Sequence, residues 1–357
     1  MRFKLLPLAL LVVLSLTHAA VAQNSAAALA NLPEADAVIY VSPQRILNEA
    51  APRVMAPADL TGMRSTFAEL KKSAGIDPST IEYLVIAVRF NKPATDLSFV
   101  APDVMAVVGG DFSSDSLITH GQLYLQDKAR VEKHGSKSIT ILPLDFMAEM
   151  TVKTPMLKAY SELGIVPLSA NSIAIGNLGY IKSAIDAAEG NGRISAATIE
   201  SLLRDPNALL SASGTPLAAF AKSIGLTGLE NTSRPSRCDT PFGNFYAAIT
   251  MTGTSFTFRG AMNADNPDTA KIINNLLSVL MEQGVGAVPD KQAQTILKSL
   301  KMSALENEIV WEADIPEKTV ADFLKSSPKK DEAAVSAPEP KSVKTRRAVP
   351  KKRTRKN

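Results

Sequence analysis

Cysteine is almost absent from this sequence of 357 residues, which contains only Cys238. A single cysteine cannot form a disulfide within the chain, so the packing of apolar side chains must hold the fold together. Cys238 lies in a polar, proline-containing stretch, residues 233–239. This setting favours an incidental surface cysteine, and a reactive thiol or an intermolecular disulfide is the alternative interpretation.

Histidine is also scarce, with only His18, His120 and His134 in the sequence. His120 and His134 are 14 residues apart, and neither belongs to an H-x-x-x-H or C-x-x-C arrangement. Zinc sites are built from closely spaced ligands of these kinds, so the sequence predicts no metal site. We expect His134 in a hairpin turn between residues 130–132 and 139–141.

The motifs of familiar enzymes and cofactor sites are missing as well. The sequence has no G-x-S-x-G, no G-x-G-x-x-G and no G-x-x-x-x-G-K-S/T. Glycines at 109–110 and 176–179 follow predicted strands, where they are expected to form tight turns. The sequence therefore predicts no catalytic residues, no cofactor-binding residues and no cofactor.

Pairs of carboxylates are the remaining route to catalysis. Asp111 and Asp115 are placed at the start of one predicted helix, and Asp265 and Asp268 at the start of another. Capping and the helix dipole favour carboxylates at such positions without any functional requirement. We interpret both pairs in this way, and a glycosidase-type or metal-binding role is the alternative.

Long apolar runs are absent, apart from one short run near the amino terminus. Residues 5–16 are apolar and follow the cations Arg2 and Lys4, and an Ala-Val-Ala triplet at 20–22 precedes Gln23. This pattern predicts a cleavable signal peptide over residues 1–22, and hence a periplasmic or extracellular bacterial protein. An uncleaved anchor over residues 5–22 is the alternative, against which Pro7 and the polar residues 17–18 argue.

The other end of the sequence is basic. Residues 326–357 contain eleven Lys and Arg against three Asp and Glu, a net charge of +8, whereas the whole chain carries +4. The first 22 residues supply +2, so residues 23–325 carry −6. The tail has few large apolar side chains and is predicted to be disordered.

A cationic tail of this density is expected to bind polyanions such as a membrane surface or a cell-wall polymer. Nucleic acid is a less favoured partner because the tail has no aromatic side chains to stack on bases. The alternative interpretation is that the tail only keeps the protein soluble and binds no partner. The residues predicted to contact a polyanion are Lys344, Arg346, Arg347, Lys351, Lys352, Arg353, Arg355 and Lys356.

The body of the chain repeats a pattern of two strands followed by an amphipathic helix. Strands are predicted at 81–90 and 104–108, at 172–175, at 245–251 and 256–262 with a turn at 253, and within 302–315 with a turn at 306–307. Residues 309, 311, 313 and 315 alternate and are predicted to point inward, and a last helix from Pro316 is predicted to bury residues 320, 323 and 324. Helices are predicted after them, with Ser113 or Asp111 capping the first of these and residues 265–267 starting a later one. The pattern predicts an α+β fold with antiparallel sheets, helices packed on one face, and two similar halves.

The domain boundaries follow from composition. We predict a first α+β region over 23–226, a linker or loop over 227–243, a second α+β region over 244–325 and the tail over 326–357. The stretch 227–243 is polar, contains two prolines and lacks hydrophobic periodicity, as expected of a connection.

Several segments resemble a group of uncharacterised secreted proteins from acidobacteria and their relatives. The resemblance rests on LPEADAVIYV at 32–41, RILNEA at 45–50, GID at 75–77, AIGN at 174–177 and RDPNAL at 204–209. It covers nearly all of the body and excludes the tail. It implies export and a repeated α+β body, and it implies no activity, substrate or binding residue.

The sequence therefore favours an exported, non-enzymatic protein with a binding or envelope-associated role, whose partner is a protein or an envelope component. One alternative is a secreted hydrolase without a familiar motif, acting on cell-wall or polysaccharide material, with Asp111 and Asp115 as its first candidates. The other alternative is a structural assembly protein.

Removal of the basic tail tests its role in attachment. A chain that ends at Lys325 should be released from envelope fractions at low salt, because the eleven cations of the tail are lost. The measurement is the fraction of protein that sediments with envelopes, compared with the full chain over a range of salt concentrations. Equal retention of both chains would contradict electrostatic attachment through the tail.

Overall fold

The computed structural model describes residues 29–75, 77–90, 101–125, 128–144, 160–215, 242–288 and 291–326. The predicted signal peptide, Cys238, the basic tail beyond Ser326 and all but the last two residues of the predicted linker lie outside these ranges.

The described chain forms one antiparallel sheet of twelve strands. Their order across the sheet is β11-β12-β10-β9-β8-β1-β2-β3-β7-β6-β5-β4, and each pair of neighbours is antiparallel. The strands are β1 Ala37–Val41, β2 Ile81–Arg89, β3 Asp103–Gly110, β4 Arg130–His134, β5 Lys137–Pro143, β6 Glu162–Ser169, β7 Ser172–Asn177, β8 Leu210–Gly214, β9 Phe242–Thr252, β10 Ser255–Ala264, β11 Lys301–Leu305 and β12 Glu308–Pro316.

The helices lie between these strands in the sequence. A helical run over 43–54 follows β1 and consists of Pro43–Arg45, the π-helical Ile46–Ala50 and Ala51–Val54. A 3₁₀ turn, Pro78–Thr80, precedes β2. The longer helices are α1 Pro57–Ala74, α2 Ser114–Leu125, α3 Leu178–Ala188, α4 Ala196–Leu202, α5 Pro267–Ala287, α6 Lys291–Ser299 and α7 Glu317–Ser326.

The predicted α+β class and its recurring strand-strand-helix pattern are confirmed. The pairs β2–β3, β6–β7, β9–β10 and β11–β12 are each followed by a helix, namely α2, α3, α5 and α7. Predicted helix starts are found as well: Ser113 accepts a hydrogen bond from the Ser116 backbone N–H, and Asn266 caps α5 ahead of Pro267.

The helices lie on both faces of the sheet, which differs from the expected single covered face. Val38, Ser213, Tyr246 and Ala261 are aligned across β1, β8, β9 and β10, so they share one face, which we name the front face. Val38 packs in one core with Ile181 of α3 and Leu202 of α4. Neighbouring residues in a strand point to opposite faces.

The opposite side of the sheet, the back face, is covered by other helices. Met262, next to Ala261, packs with Ala270 and Ile273 of α5. Ala50 and Val54 of the helical run 43–54 pack on the same face with Phe256, together with Val320 of α7. The helices of these cores thus cover the front face at β1, β2 and β3, and the back face at β9, β10 and β12.

Tyr180 of α3 fixes the helix against the amino-terminal segment. Its ring is fully buried, and its hydroxyl donates a hydrogen bond of 2.9 Å to the backbone oxygen of Glu34. Burial raises the pKa of the Tyr180 hydroxyl, which stays a neutral donor. Arg89 stacks over the ring at 4.6 Å from its centroid and forms an ion pair of 2.7 Å with Asp103.

Substitution of Gly214 in β8 tests how closely the backbone packs at the centre of the sheet. A Cβ at this buried position would overlap the backbone oxygen of Asp36, which also accepts a hydrogen bond from the Thr215 N–H. We expect Gly214→Ala to lower the free energy of unfolding by about 1–3 kcal/mol, because backbone cannot rotate away as a side chain can. Urea denaturation followed by circular dichroism measures the change.

Gly62 provides the matched control. It lies exposed within α1, and a Cβ there would meet no atom within 4 Å. Gly62→Ala should therefore stabilise the protein by about 0.5–1 kcal/mol through its higher helix propensity. Equal effects of the two substitutions would show that the packing around Gly214 is looser than described.

Candidate functional site

An apolar cavity of about 490 Å³ lies on the back face, between the sheet and the helices that cover it. It is partly open to the surface. Its volume falls within the range of about 300–1,000 Å³ that small-molecule sites occupy. The cavity is therefore the candidate functional site.

The floor of the cavity comes from four adjacent strands. Phe258 of β10 is aligned with Ile249 of β9 on one side and with Ala313 of β12 on the other. Aligned residues share a face of the sheet, and their side chains therefore point together into the cavity. The strand residues of the lining are Leu210, Ile249, Phe256, Phe258, Ala313 and Ile315, with Leu209 immediately before β8.

Three helical segments form the roof. Ile46 and Ala50 come from the π-helical segment, and Val320 comes from α7. α6 contributes Ile296 and Leu297, and Leu300 follows directly after it. α6 presents its apolar side to the cavity and polar residues such as Lys298 to solvent, as expected of an amphipathic helix.

The thirteen described residues that line the cavity all have apolar side chains. Apolar cavities of this kind bind water poorly because a buried water needs two to four polar partners. These thirteen residues include no general acid, general base, nucleophile or metal ligand. The chemistry available to the cavity is therefore the binding of an apolar group by burial and dispersion.

Two arginines, each in an ion pair, connect the helical run 43–54 to other parts of the chain. Arg45 donates hydrogen bonds of 3.0 and 2.9 Å to the two carboxylate oxygens of Glu49 in the same run, and it also donates to the backbone oxygen of Asn207, two residues before Leu209. The hydrogen bond from Arg45 holds the pKa of the Glu49 carboxyl below its usual value, so the pair stays charged at neutral pH.

The second ion pair joins the start of α7 to the helical run 43–54. Arg53 donates to the Glu317 carboxylate at 2.9 Å and to the backbone oxygen of Gly253 at 2.7 Å. The Glu317 N–H donates to the backbone oxygen of Thr254. These bonds bring α7, and with it Val320, against the β9–β10 turn.

The carboxylate pairs considered from the sequence lie away from this cavity. Asp111 and Asp115 are exposed at the start of α2, and the Asp111 N–H donates to the backbone oxygen of Thr80. Asp265 and Asp268 are exposed at the start of α5, where Asp268 lies 3.6 Å from the Lys271 ammonium. Their positions agree with a role at helix starts.

The predicted β4–β5 hairpin is present, with His134 as the last residue of β4. Its Nε2 lies 2.9 Å from an oxygen of Asp186 on α3. Within the described ranges, no group of three His, Cys, Asp or Glu is placed to hold a metal ion. The tail residues predicted to bind polyanions lie outside the described residues.

The cavity was missed by the sequence analysis, although part of its lining was identified as inward-facing. The alternation of residues 309–315 and the apolar face of the last helix place Ala313, Ile315 and Val320 correctly. The prediction that the same helix buries Leu324 is wrong, because 49% of that side chain is exposed. The segment of α6 contains a pattern that could have identified more of the lining, because the apolar residues 296, 297 and 300 recur at helical spacing. No pattern in the sequence reports the unfilled volume between these elements.

No helix in the described part of the chain is long and apolar enough to span a membrane.

Comparisons with known proteins give little beyond weak structural similarity. No protein-family model matches the chain, and no curated protein matches it. Crystal form III of the protein TP0453 is similar with a TM-score of 0.41 and 9% sequence identity, covering 84% of this chain and 97% of that chain. Crystal form I gives a TM-score of 0.40, 10% identity and coverages of 84% and 96%. Similarity at this level supports no argument about function.

Proposed function

We propose that the protein is an exported, non-enzymatic binding protein whose ligand is an amphiphile with one aliphatic chain. The observation that supports this proposal is the apolar cavity, which is about 490 Å³ in volume and to which the described part of the chain contributes only apolar side chains. The aliphatic chain occupies the cavity, and the polar group remains at the opening. Export follows from the predicted signal peptide and belongs to the same proposal.

The volume sets the size of the ligand. A molecule of liquid water takes up about 30 Å³, and a methylene group is similar in size, so the cavity holds on the order of a dozen methylenes. Burial contributes about 0.8 kcal/mol per methylene, hence about 8 kcal/mol for ten of them. That gross gain corresponds to a dissociation constant of about 1 μM before the cost of association is subtracted.

The polarity of the lining sets the kind of ligand. A buried hydroxyl or amide without a hydrogen-bond partner costs about 1–3 kcal/mol, so sugars, peptides and nucleotides are disfavoured. A saturated chain leaves no polar group without a hydrogen-bond partner in such a cavity. The hydrolase alternative has less support because its candidates Asp111 and Asp115 are exposed at the start of α2, on a different part of the sheet.

Ala313 provides the direct test of the cavity. Ala313→Phe should weaken the binding of dodecanoate at least tenfold, because the larger side chain fills space that the ligand needs. Trp311, the only tryptophan, lies two residues away on the same face of β12, so quenching of its fluorescence by ω-bromododecanoate reports occupancy. Thermal unfolding confirms that each variant is folded.

Val310→Phe is the matched control, since Val310 lies in the same strand and points to the front face, away from the cavity. It should change the dodecanoate affinity less than twofold. The wild-type protein should also gain about 2.7 kcal/mol of stability at a ligand concentration of 100 times the dissociation constant. Equal affinity of wild-type protein and Ala313→Phe would disprove binding in this cavity.

A further inference from the structure

Four of the eight exposed large apolar side chains in the described part of the chain lie on α5 and α7, the two helices that α6 contacts. Ile272, Val279 and Leu280 of α5 expose 53%, 48% and 39% of their surface, and Leu324 of α7 exposes 49%. Large apolar side chains on a soluble surface usually occur singly, and a group on one layer indicates an interaction surface. We name these four residues the docking surface.

The docking surface lies beside the cavity. α6, which supplies Ile296 and Leu297 to the roof, contacts both α5 and α7 and so lies between the two parts of the surface. Leu324 is four residues after Val320, and residues at this spacing share one side of a helix. The apolar side of α7 thus runs from the cavity to solvent. On α5, Ile272 and Val279 are seven residues apart and form one stripe.

The net positive charge near these residues comes from the tail. Lys271 and Lys325 lie next to Ile272 and Leu324, and each pairs with an aspartate of its own helix, Asp268 at 3.6 Å and Asp322 at 3.9 Å. The chain continues directly from α7 into residues 327–357, which carry the net charge of +8. The strongest concentration of cations in the sequence is therefore attached to the end of the docking surface.

We propose that the docking surface binds the surface of an anionic lipid bilayer, and that the amphiphile passes between bilayer and cavity there. The second half of this proposal rests on the proposed function. Apolar side chains alone bind a bilayer weakly, and a polybasic segment alone is displaced by salt, whereas the two together give stable attachment. A ligand with a long aliphatic chain is stored in bilayers because it is poorly soluble in water.

A bilayer fits these observations better than a folded protein partner does. The long basic segment that follows α7 is attracted to anionic headgroups without any matching shape. The four apolar side chains are spread over two helices and expose only about half of each side chain, which suits shallow insertion at the headgroup level. A second copy of the chain would place two basic tails side by side, which costs electrostatic energy.

Two substitutions with equal starting exposure test the docking surface. Leu280 on α5 and Leu70 on α1 both expose 39% of their surface, and each lies on a helix. The chain from Gln23 onward is mixed with vesicles of phosphatidylcholine and phosphatidylglycerol, and bound protein is separated by flotation. Leu280→Asp should weaken vesicle binding at least tenfold, and Leu70→Asp less than twofold. If Leu280→Asp does not fold, the milder variant Val279→Ser replaces it in the vesicle assay.

The charge contribution is measured in the same assay. The chain that ends at Lys325 should bind these vesicles more weakly and with little dependence on salt, because the tail is gone. Vesicle binding of Leu280→Asp equal to that of the wild type would overturn the proposal, as would an equal loss in Leu70→Asp. A wild-type dimer that Leu280→Asp dissociates, with no vesicle binding by either protein, would overturn it in favour of contact between two copies.

Titration with dodecanoate separates this proposal from the proposed function. Leu280→Asp should retain the wild-type affinity for dodecanoate in solution, because its side chain lies outside the cavity lining. Vesicle binding that depends on Leu280, in a protein that never binds dodecanoate, would support docking and refute the proposed ligand. Dodecanoate binding without any vesicle binding would support the cavity and overturn docking.

Discussion

The pairing of β1 with both β2 and β8 holds the sheet together. β1 is only five residues long, yet it joins the strands that precede residue 180 to those that follow residue 210. Without this strand, β8 and β2 would be edges, and the two sets of strands would form separate sheets. Apolar residues therefore occupy both faces of β1, with Val38 and Tyr40 on the front face.

The change of covered face across β1 explains where the cavity lies. α3 and α4 fill the front face beside β1 with a dense core around Tyr180 and Ile181, which are fully buried. On the back face, the roof is assembled from short segments that come from distant parts of the sequence, namely residues 46–50, α6 and α7. Short, separate segments fill a wide surface less completely than one long helix does, and space remains between them.

The sequence predicted the local structure well because each element carries its own signal. The turns at 253 and 306–307, the cap before Pro267 and the alternation of residues 309–315 are local features, and each is present in the structure. The single sheet, the two covered faces and the cavity depend on contacts between residues far apart, such as Leu209 with Ala50. No periodicity or motif encodes such contacts, and the lining of an empty space looks like any other core.

The size of the cavity supports the proposal that it is kept for a ligand. An enclosed void costs about 24 cal/mol per Å³, so 490 Å³ would cost about 12 kcal/mol if it were sealed and empty. That amount is close to the whole stability of a typical domain, about 5–15 kcal/mol, and partial opening lowers it without removing it. Larger residues at Ala50 or Ala313 would fill the space, as leucines and isoleucines already do around them. Small side chains at these two positions, next to Ile46 and Ile315, are what a cavity that holds an aliphatic chain requires.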